Sequence, residues 1–98
     1  MSYHLLIKPA AQHDIEEAAQ WYNAQRPGLG LDFLAALSEA LQIIQSNPYL
    51  FAARHGPIRQ CPVKGFPYVI YYLVESATVV VIAVLHQRRD PQMAKDRQ

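Results

Sequence analysis

Two runs of β-branched and aromatic residues dominate the second half of the chain. The first occupies residues 66–74 and the second residues 79–85, and only the four residues from Glu75 to Thr78 separate them. Residues of this kind favour strands, and a short polar connection between two such runs predicts an antiparallel hairpin. Apolar side chains fall on both faces of each run, whereas a strand with one solvent-exposed face alternates between apolar and polar residues. We therefore predict that these are inner strands of a sheet.

The first half of the chain shows the periodicity of two amphipathic helices. The first lies between Pro9 and Arg26 and the second runs from about residue 30 to residue 45, with its stripe widened by Leu34. The predicted buried stripes are Ala11, Ile15, Ala18 and Tyr22 in the first helix and Phe33, Leu37, Leu41 and Ile44 in the second. On the opposite side of the first helix, Gln12, Glu17 and either Asp14 or Glu16 are predicted to face water.

Shorter segments complete the predicted fold. They are a strand at 3–8, an irregular connection at 49–57, a strand at 58–63 and a turn at Lys64-Gly65. Asp90-Pro91 predicts the start of a short terminal helix, with the aspartate as N-cap and the proline as the first helical residue. The helical hairpin has an apolar face that only the sheet is large enough to cover. We predict an α+β fold, ordered β-α-α-β-β-β with a short C-terminal helix, in which the helical hairpin packs on a small, mainly antiparallel sheet.

Composition is that of one small globular domain spanning residues 1–98. The chain is 51% hydrophobic and 17% charged, which is enough apolar material for a single core. No apolar run approaches the roughly 20 residues that span a bilayer, and the first residues lack the pattern of a signal peptide. We therefore expect a cytoplasmic protein without membrane association.

The sequence predicts neither a metal site nor a cofactor. Cys61 is the single cysteine, so an internal disulfide and a cysteine-based zinc cluster within one chain are both excluded. The histidines His4, His13 and His55 do not have metal-ligand spacing.

Charge is distributed unevenly along the chain. Residues 1–50 carry two basic and five acidic side chains, a net charge of −3, and residues 51–98 carry seven basic and three acidic side chains, a net charge of +4. The helical half is therefore acidic and the sheet half is basic. Such asymmetry predicts an acidic or polyanionic partner for one face, and an ordinary solvated surface is the alternative interpretation.

A series of short motifs follows in a fixed order along the chain. They are Pro9-Ala10, Asp14-Ile15, Trp21-Tyr22, Pro27-Gly28-Leu29-Gly30, Phe33, Asn47-Pro48, Ile58-Arg59, Phe66-Pro67-Tyr68, Ile70-Tyr71-Tyr72 and His86-Gln87-Arg88-Arg89-Asp90-Pro91. As an ordered set they resemble the RelE/ParE family of toxins from bacterial type II toxin–antitoxin systems. The resemblance covers nearly the whole chain. It implies the fold described above and a small toxin that a cognate antitoxin neutralises by wrapping a peptide or helix over its surface, so we expect a hetero-oligomer with that antitoxin.

The resemblance implies two alternative targets. ParE-like members poison DNA gyrase, and RelE-like members cut messenger RNA on the translating ribosome. Nuclease members typically place several basic residues on the central strands and a tyrosine near the C-terminus. Here residues 66–74 contain no basic residue and residues 92–98 contain no tyrosine. We therefore favour a ParE-like, plasmid-stabilisation type of toxin that binds gyrase, with a RelE-like messenger-RNA endoribonuclease as the alternative.

The second alternative requires specific chemistry. Metal-free RNA cleavage needs a general base, a general acid and cations around the charged phosphorane. His86 is the candidate acid or base because imidazole titrates near neutrality, and a structural histidine at a strand end is the other interpretation. The cations predicted to contact a nucleic acid or a protein target are Arg54, Arg59, Lys64, Arg88 and Arg89. For Arg54, Arg59 and Lys64 the alternative interpretation is that they are edge-strand cations, which prevent the sheet from pairing with a sheet of another molecule.

Overall fold

The computed structural model describes residues 2–98, and the helices and strands follow the predicted order with one addition. They are β1 (His4–Ile7), α1 (Pro9–Gln25), α2 (Leu29–Ser46), β2 (Ala53–His55), β3 (Ile58–Pro62), β4 (Tyr68–Glu75), β5 (Thr78–His86) and α3 (Gln92–Lys95). Among these residues no helix has both the length and the apolarity needed to cross a membrane. The α+β fold, with a helical hairpin on a mainly antiparallel sheet, is confirmed.

The sheet has five strands in the order β1-β5-β4-β3-β2. β4 and β5 pair antiparallel along their whole length, and β1 pairs with β5 in parallel. The prediction that the central hairpin supplies inner strands is therefore confirmed. The prediction that residues 49–57 are irregular was wrong in part, because β2 lies there and pairs with β3. β2 has only three residues and a shifted register, which is too short to produce a recognisable alternation.

The helices cover one face of the sheet. The predicted stripe of α1 is confirmed, since Ala11, Ile15, Ala18 and Tyr22 are all buried, and α2 buries Phe33, Leu37 and Ile44. Leu41 is partly buried, and Leu34, predicted to widen the stripe, stays 37% exposed.

The two helices approach each other closely at Gly30. A Cβ atom at this position would lie 2.6 Å from the backbone oxygen of Ala19. The turn before α2 also depends on a glycine, because Gly28 has a φ of 91° that side chains rarely adopt. Both glycines therefore serve the connection and the packing of the helical hairpin.

A β-bulge interrupts the pairing of β5 with β4. Tyr71 lies opposite Ala83 and Tyr72 lies opposite Val81, so Ile82 is an extra residue in β5. Val79, Val81 and Val84 consequently pack under the helices, whereas Val80, Ile82, Ala83 and Leu85 pack on the other face with Ala94 of α3.

Asp14 of α1 and Arg97 of the C-terminal segment together complete the outer edge of β5. β1 ends at Ile7, opposite Val81, so the edge of β5 beyond that point has no strand partner. Asp14 Oδ2 accepts a hydrogen bond from the Val84 N–H at 3.0 Å, and Arg97 Nη1 donates to the Ile82 carbonyl at 3.2 Å. We call this pair the Asp14–Arg97 clasp.

The clasp is a forked ion pair that is largely shielded from water. Arg97 Nη1 contacts Asp14 Oδ2, and Nη2 donates to Oδ1 at 3.2 Å. The side chains are 26% exposed for Arg97 and 11% exposed for Asp14. The hydrogen bond to Asp14 raises the pKa of Arg97. Of the two acids left open by the sequence, Glu16 is therefore the one that faces water.

Burial of Cys61 predicts a loss of stability in alkaline solution. The residue is 2% exposed, and burial raises the pKa of its thiol from 9.0 to about 11. The unfolded chain therefore releases this proton at a lower pH than the folded chain, so the free energy of unfolding falls as the pH rises from about 9 towards 11. We expect this thiol alone to lower the free energy of unfolding by about 2 kcal/mol across that window.

Urea unfolding of the wild type and of Cys61→Ala across this pH range measures the effect. The variant should lose less stability than the wild type. Burial, and then the charge of Cys61, raise the pKa of Tyr72 to about 12, so this tyrosine lowers the stability of both proteins above its ordinary value of 10.0. Its contribution is smaller in the variant, where Cys61 no longer raises that pKa. Parallel stability curves for the two proteins would contradict the prediction.

Candidate functional site

A cleft of about 530 Å³ opens between α1 and the end of β5. One wall comes from α1 and the other from the start of β4 and the residues that follow β5. The side chains that give the cleft its chemistry are Asp14, Glu17, Trp21, Tyr68, His86 and Arg89.

The back of the cleft is a cluster of aromatic rings. The Tyr22 ring stacks on Phe33 with ring centroids 5.4 Å apart, and it meets Phe66 edge to face at 5.0 Å. Tyr68 meets Phe33 at 5.3 Å. Burial raises the pKa of Tyr22 and Tyr68, so both hydroxyls stay protonated at neutral pH.

Trp21 extends this aromatic surface to the mouth of the cleft. Its ring meets the Tyr22 ring edge to face at 5.2 Å, and the residue is 57% exposed. A large indole left this exposed is the type of side chain that anchors protein interfaces.

His86 stands at the end of β5 beside Tyr68. The two ring centroids lie 5.5 Å apart, and His86 Nδ1 accepts a hydrogen bond from the Arg88 N–H at 3.1 Å. The neutral imidazole therefore carries its proton on Nε2. The bond to Arg88 agrees with the structural interpretation of this histidine, and its role as acid or base remains a prediction.

The five predicted contact cations do not gather at one place. Arg89 lines the cleft with His86, and Lys64 and Arg88 lie in exposed turns at the same end of the sheet. Arg54 and Arg59 lie further away along the strands. The register pairs Tyr68 with His86 and Tyr72 with Arg59, so four residues, about 13 Å, separate the two positions along β4.

Arg59 has a structural contact that the sequence did not reveal. Its Nη1 donates to the Phe51 carbonyl at 2.7 Å, and its guanidinium lies 4.9 Å from the centre of the Tyr49 ring. The side chain thus holds the connection between α2 and β2 against the sheet.

The cleft residues on α1 were all missing from the predicted site, and those that give the cleft its chemistry are Asp14, Glu17 and Trp21. Their spacing of three and four residues along α1 places them on one helical face, which is a signal that sequence reasoning could have used. Arg89 lowers the pKa of Tyr68 while Glu17 and Asp14 raise it, after the larger effect of burial, so charges of both signs act on the cleft. Within residues 2–98, no group of three histidine, cysteine or carboxylate side chains could hold a metal ion.

Comparison with known proteins places the chain in a family. It matches the family described as the ParE toxin of the type II toxin–antitoxin system parDE over residues 5–91. No curated protein matches the sequence.

Two solved structures show the same fold. One is from the chromosomal ParDE system of P. aeruginosa, with a TM-score of 0.77 and 13% identity over 87% of this chain and 96% of that chain. The other is a double arginine-to-alanine mutant of the E. coli toxin RelE in the free state, with a TM-score of 0.74 and 18% identity over 99% of this chain and 94% of that chain. Since the family match extends over most of its length, this chain belongs to the ParE toxin family of type II toxin–antitoxin systems.

Proposed function

We propose that this toxin inhibits growth by binding DNA gyrase through the cleft beside α1. The observation that carries the proposal is the exposed indole of Trp21 at the mouth of an aromatic cleft that also holds Arg89. Aromatic and arginine side chains are enriched in the anchors of protein interfaces. The proposal also rests on membership of the ParE family, for which gyrase is the expected target.

The charges of the cleft support a protein target over RNA. The carboxylate of Glu17 stands on the α1 wall, where it repels phosphate groups, whereas Asp14 is neutralised by Arg97. Of the five predicted contact cations, Arg89 is the one that lines the cleft. A cleaving site would have to surround a charged phosphorane with positive charge, and this cleft instead balances both signs.

Cleavage of ribosome-bound messenger RNA is the second candidate, and the presence of His86 and Arg89 in one cleft beside Tyr68 favours it. To donate a proton to a leaving 5′-oxygen, His86 would have to be the imidazolium, in which Nδ1 carries a proton and no longer accepts from the Arg88 N–H. Arg89 would then stabilise the phosphorane. The two candidates therefore depend on different residues of the same cleft.

A supercoiling assay and a translation assay with the same purified protein test the two candidates together. We expect supercoiling by gyrase to be inhibited and translated messages to remain intact. Trp21→Ala should weaken gyrase inhibition about thirtyfold, since an interface anchor contributes about 2 kcal/mol. Its melting temperature should change little because the side chain is exposed. Leu31→Ala is the matched control, since Leu31 is 72% exposed on α2 and does not line the cleft.

Messages cut at defined positions in the ribosomal A site would overturn the gyrase proposal. Loss of toxicity in a stably folded His86→Ala protein, with Trp21→Ala fully toxic, would assign the cleft to RNA cleavage. Both targets lie in the bacterial cytoplasm, which is where we place the toxin. Co-expression with the neighbouring reading frame tests the antitoxin, which should copurify with the toxin and restore growth.

A further inference from the structure

A second surface with interface character lies at the other end of the sheet from the cleft. It consists of Tyr49, Leu50, Arg54 and Arg59, and we call it the β2 patch. β2 is the last strand in the sheet order, with β3 as its neighbour on one side, so this patch lies along a sheet edge.

Contacts of Arg59 and the pairing of β2 with β3 bring the segments of the patch together. The Arg59 guanidinium lies 4.9 Å from the centre of the Tyr49 ring, and its Nη1 donates to the carbonyl of Phe51, the residue after Leu50. Ala53 pairs with Arg59 across the two strands, which places Arg54 one residue further along β2. The segment that carries Tyr49 and Leu50 is thus fixed to the strand pair that carries the arginines.

The patch combines apolar exposure with positive charge. Tyr49 is 57% exposed and Leu50 is 59% exposed. Between Glu39 and Glu75 the sequence contains no carboxylate, yet this span carries both arginines of the patch and Lys64. Within residues 2–98, neither Arg54 nor Arg59 has a carboxylate at ion-pair distance. Positive charge on this edge is therefore not neutralised by the toxin itself.

We propose that the β2 patch binds an acidic polypeptide segment that also carries apolar side chains. Charge complementarity argues for the acidic groups, since a forked arginine pairs well with carboxylates. The exposed Leu50 argues for a polypeptide instead of a nucleic acid, because an aliphatic side chain gains little from phosphate or sugar. Arg59 also occupies one face of the Tyr49 ring, on which a base would otherwise stack. This site is separate from the cleft and does not depend on the gyrase proposal.

Titration of isotope-labelled toxin by NMR tests the site. The probes are a glutamate-rich random copolymer of glutamate and tyrosine, polyglutamate as a probe without apolar groups, and a short single-stranded RNA. We expect the copolymer to bind most tightly and its amide shifts to fall within residues 49–59. Arg54→Glu and Leu50→Ser should each weaken its binding about tenfold, a loss of about 1.4 kcal/mol. Both residues are exposed, so the variants should keep the melting temperature of the wild type.

Lys64→Glu is the matched control, since it makes the same charge change in the same carboxylate-free span at the other end of the sheet. It should leave binding nearly unchanged. Equal weakening by Lys64→Glu and Arg54→Glu would show general charge attraction and overturn the proposal. Tighter binding of RNA than of the copolymer at residues 49–59 would overturn it as well, and so would shifts confined to the cleft.

Discussion

An Asp14→Ala variant is expected to lose about 3 kcal/mol of unfolding free energy, because breaking a shielded ion pair leaves its other member uncompensated. Arg97 would lose its forked partner, and the Val84 N–H on the edge of β5 would lose its acceptor. Denaturant unfolding followed by circular dichroism measures the loss. Asp14→Asn should lose less, since an amide oxygen still accepts a hydrogen bond from Val84.

Glu16→Ala is the matched control for the clasp, because Glu16 is an exposed acid on the same helix. Its unfolding free energy should stay within about 0.5 kcal/mol of the wild type. Hydrogen exchange gives an independent measurement, in which the Val84 amide should exchange faster in Asp14→Ala. A variant that is as stable as the wild type, with Val84 still protected, would show that the clasp contributes nothing.

A Phe33→Ala variant is expected to lose about 4 kcal/mol, which is the range for removing a fully buried phenylalanine ring. Phe33 is 0% exposed and contacts three other rings, those of Tyr22, Phe66 and Tyr68. Because Tyr22 and Tyr68 also line the cleft, the cavity should loosen the wall that supports Trp21. Gyrase inhibition should therefore fall together with stability.

Leu31→Ala serves again as the control, since it shortens an exposed apolar residue on the same helix. It should change the unfolding free energy by less than about 0.5 kcal/mol. If Phe33→Ala lost as little as Leu31→Ala, the ring cluster would not be the centre of the core. Thermal and urea unfolding of the two variants decide the comparison.

The parts of the fold that the sequence predicts are those where one periodic signal decides. The stripe of α1 and the apolar runs of β4 and β5 each bury a continuous surface, so their residues had to be apolar at fixed spacing. The end of the first helix at Arg26-Pro27-Gly28 can also be predicted from neighbouring residues alone. Proline pushes the preceding residue out of the helical region, and glycine accepts a positive φ.

The features that the sequence did not predict depend on residues far apart in the chain. The clasp joins Asp14 to Arg97 across 83 positions, and neither residue is unusual in its own segment. β2 is too short for alternation to be read, and it becomes a strand only through its pairing with β3. Arg59 was predicted to contact a target because no partner for it is visible in the sequence. Its partner is the backbone carbonyl of Phe51, and a backbone carbonyl cannot be recognised from residue types.

The cleft could be predicted only in part for the same reason. His86 and Arg89 were predicted from their own chemistry, and they lie only three residues apart at the end of β5. Trp21 and Glu17 come from the opposite end of the sequence, and only the packing of α1 on the sheet brings them to the same cavity.

The β-bulge at Ile82 sets which residue of β5 reaches the cleft. Side chains of a strand alternate between the faces, and one inserted residue reverses the alternation for everything that follows. Val81 and His86 are an odd number of positions apart, yet both lie on the helix side of the sheet. Without the bulge, regular pairing would place Ile82 opposite Tyr71 and Leu85 opposite Tyr68, and the imidazole would turn to the opposite side of the sheet. Deleting Ile82 would instead keep His86 opposite Tyr68, because the deletion removes only the extra residue and leaves every other pair in register. A codon inserted in the second half of β5 would not have this tolerance.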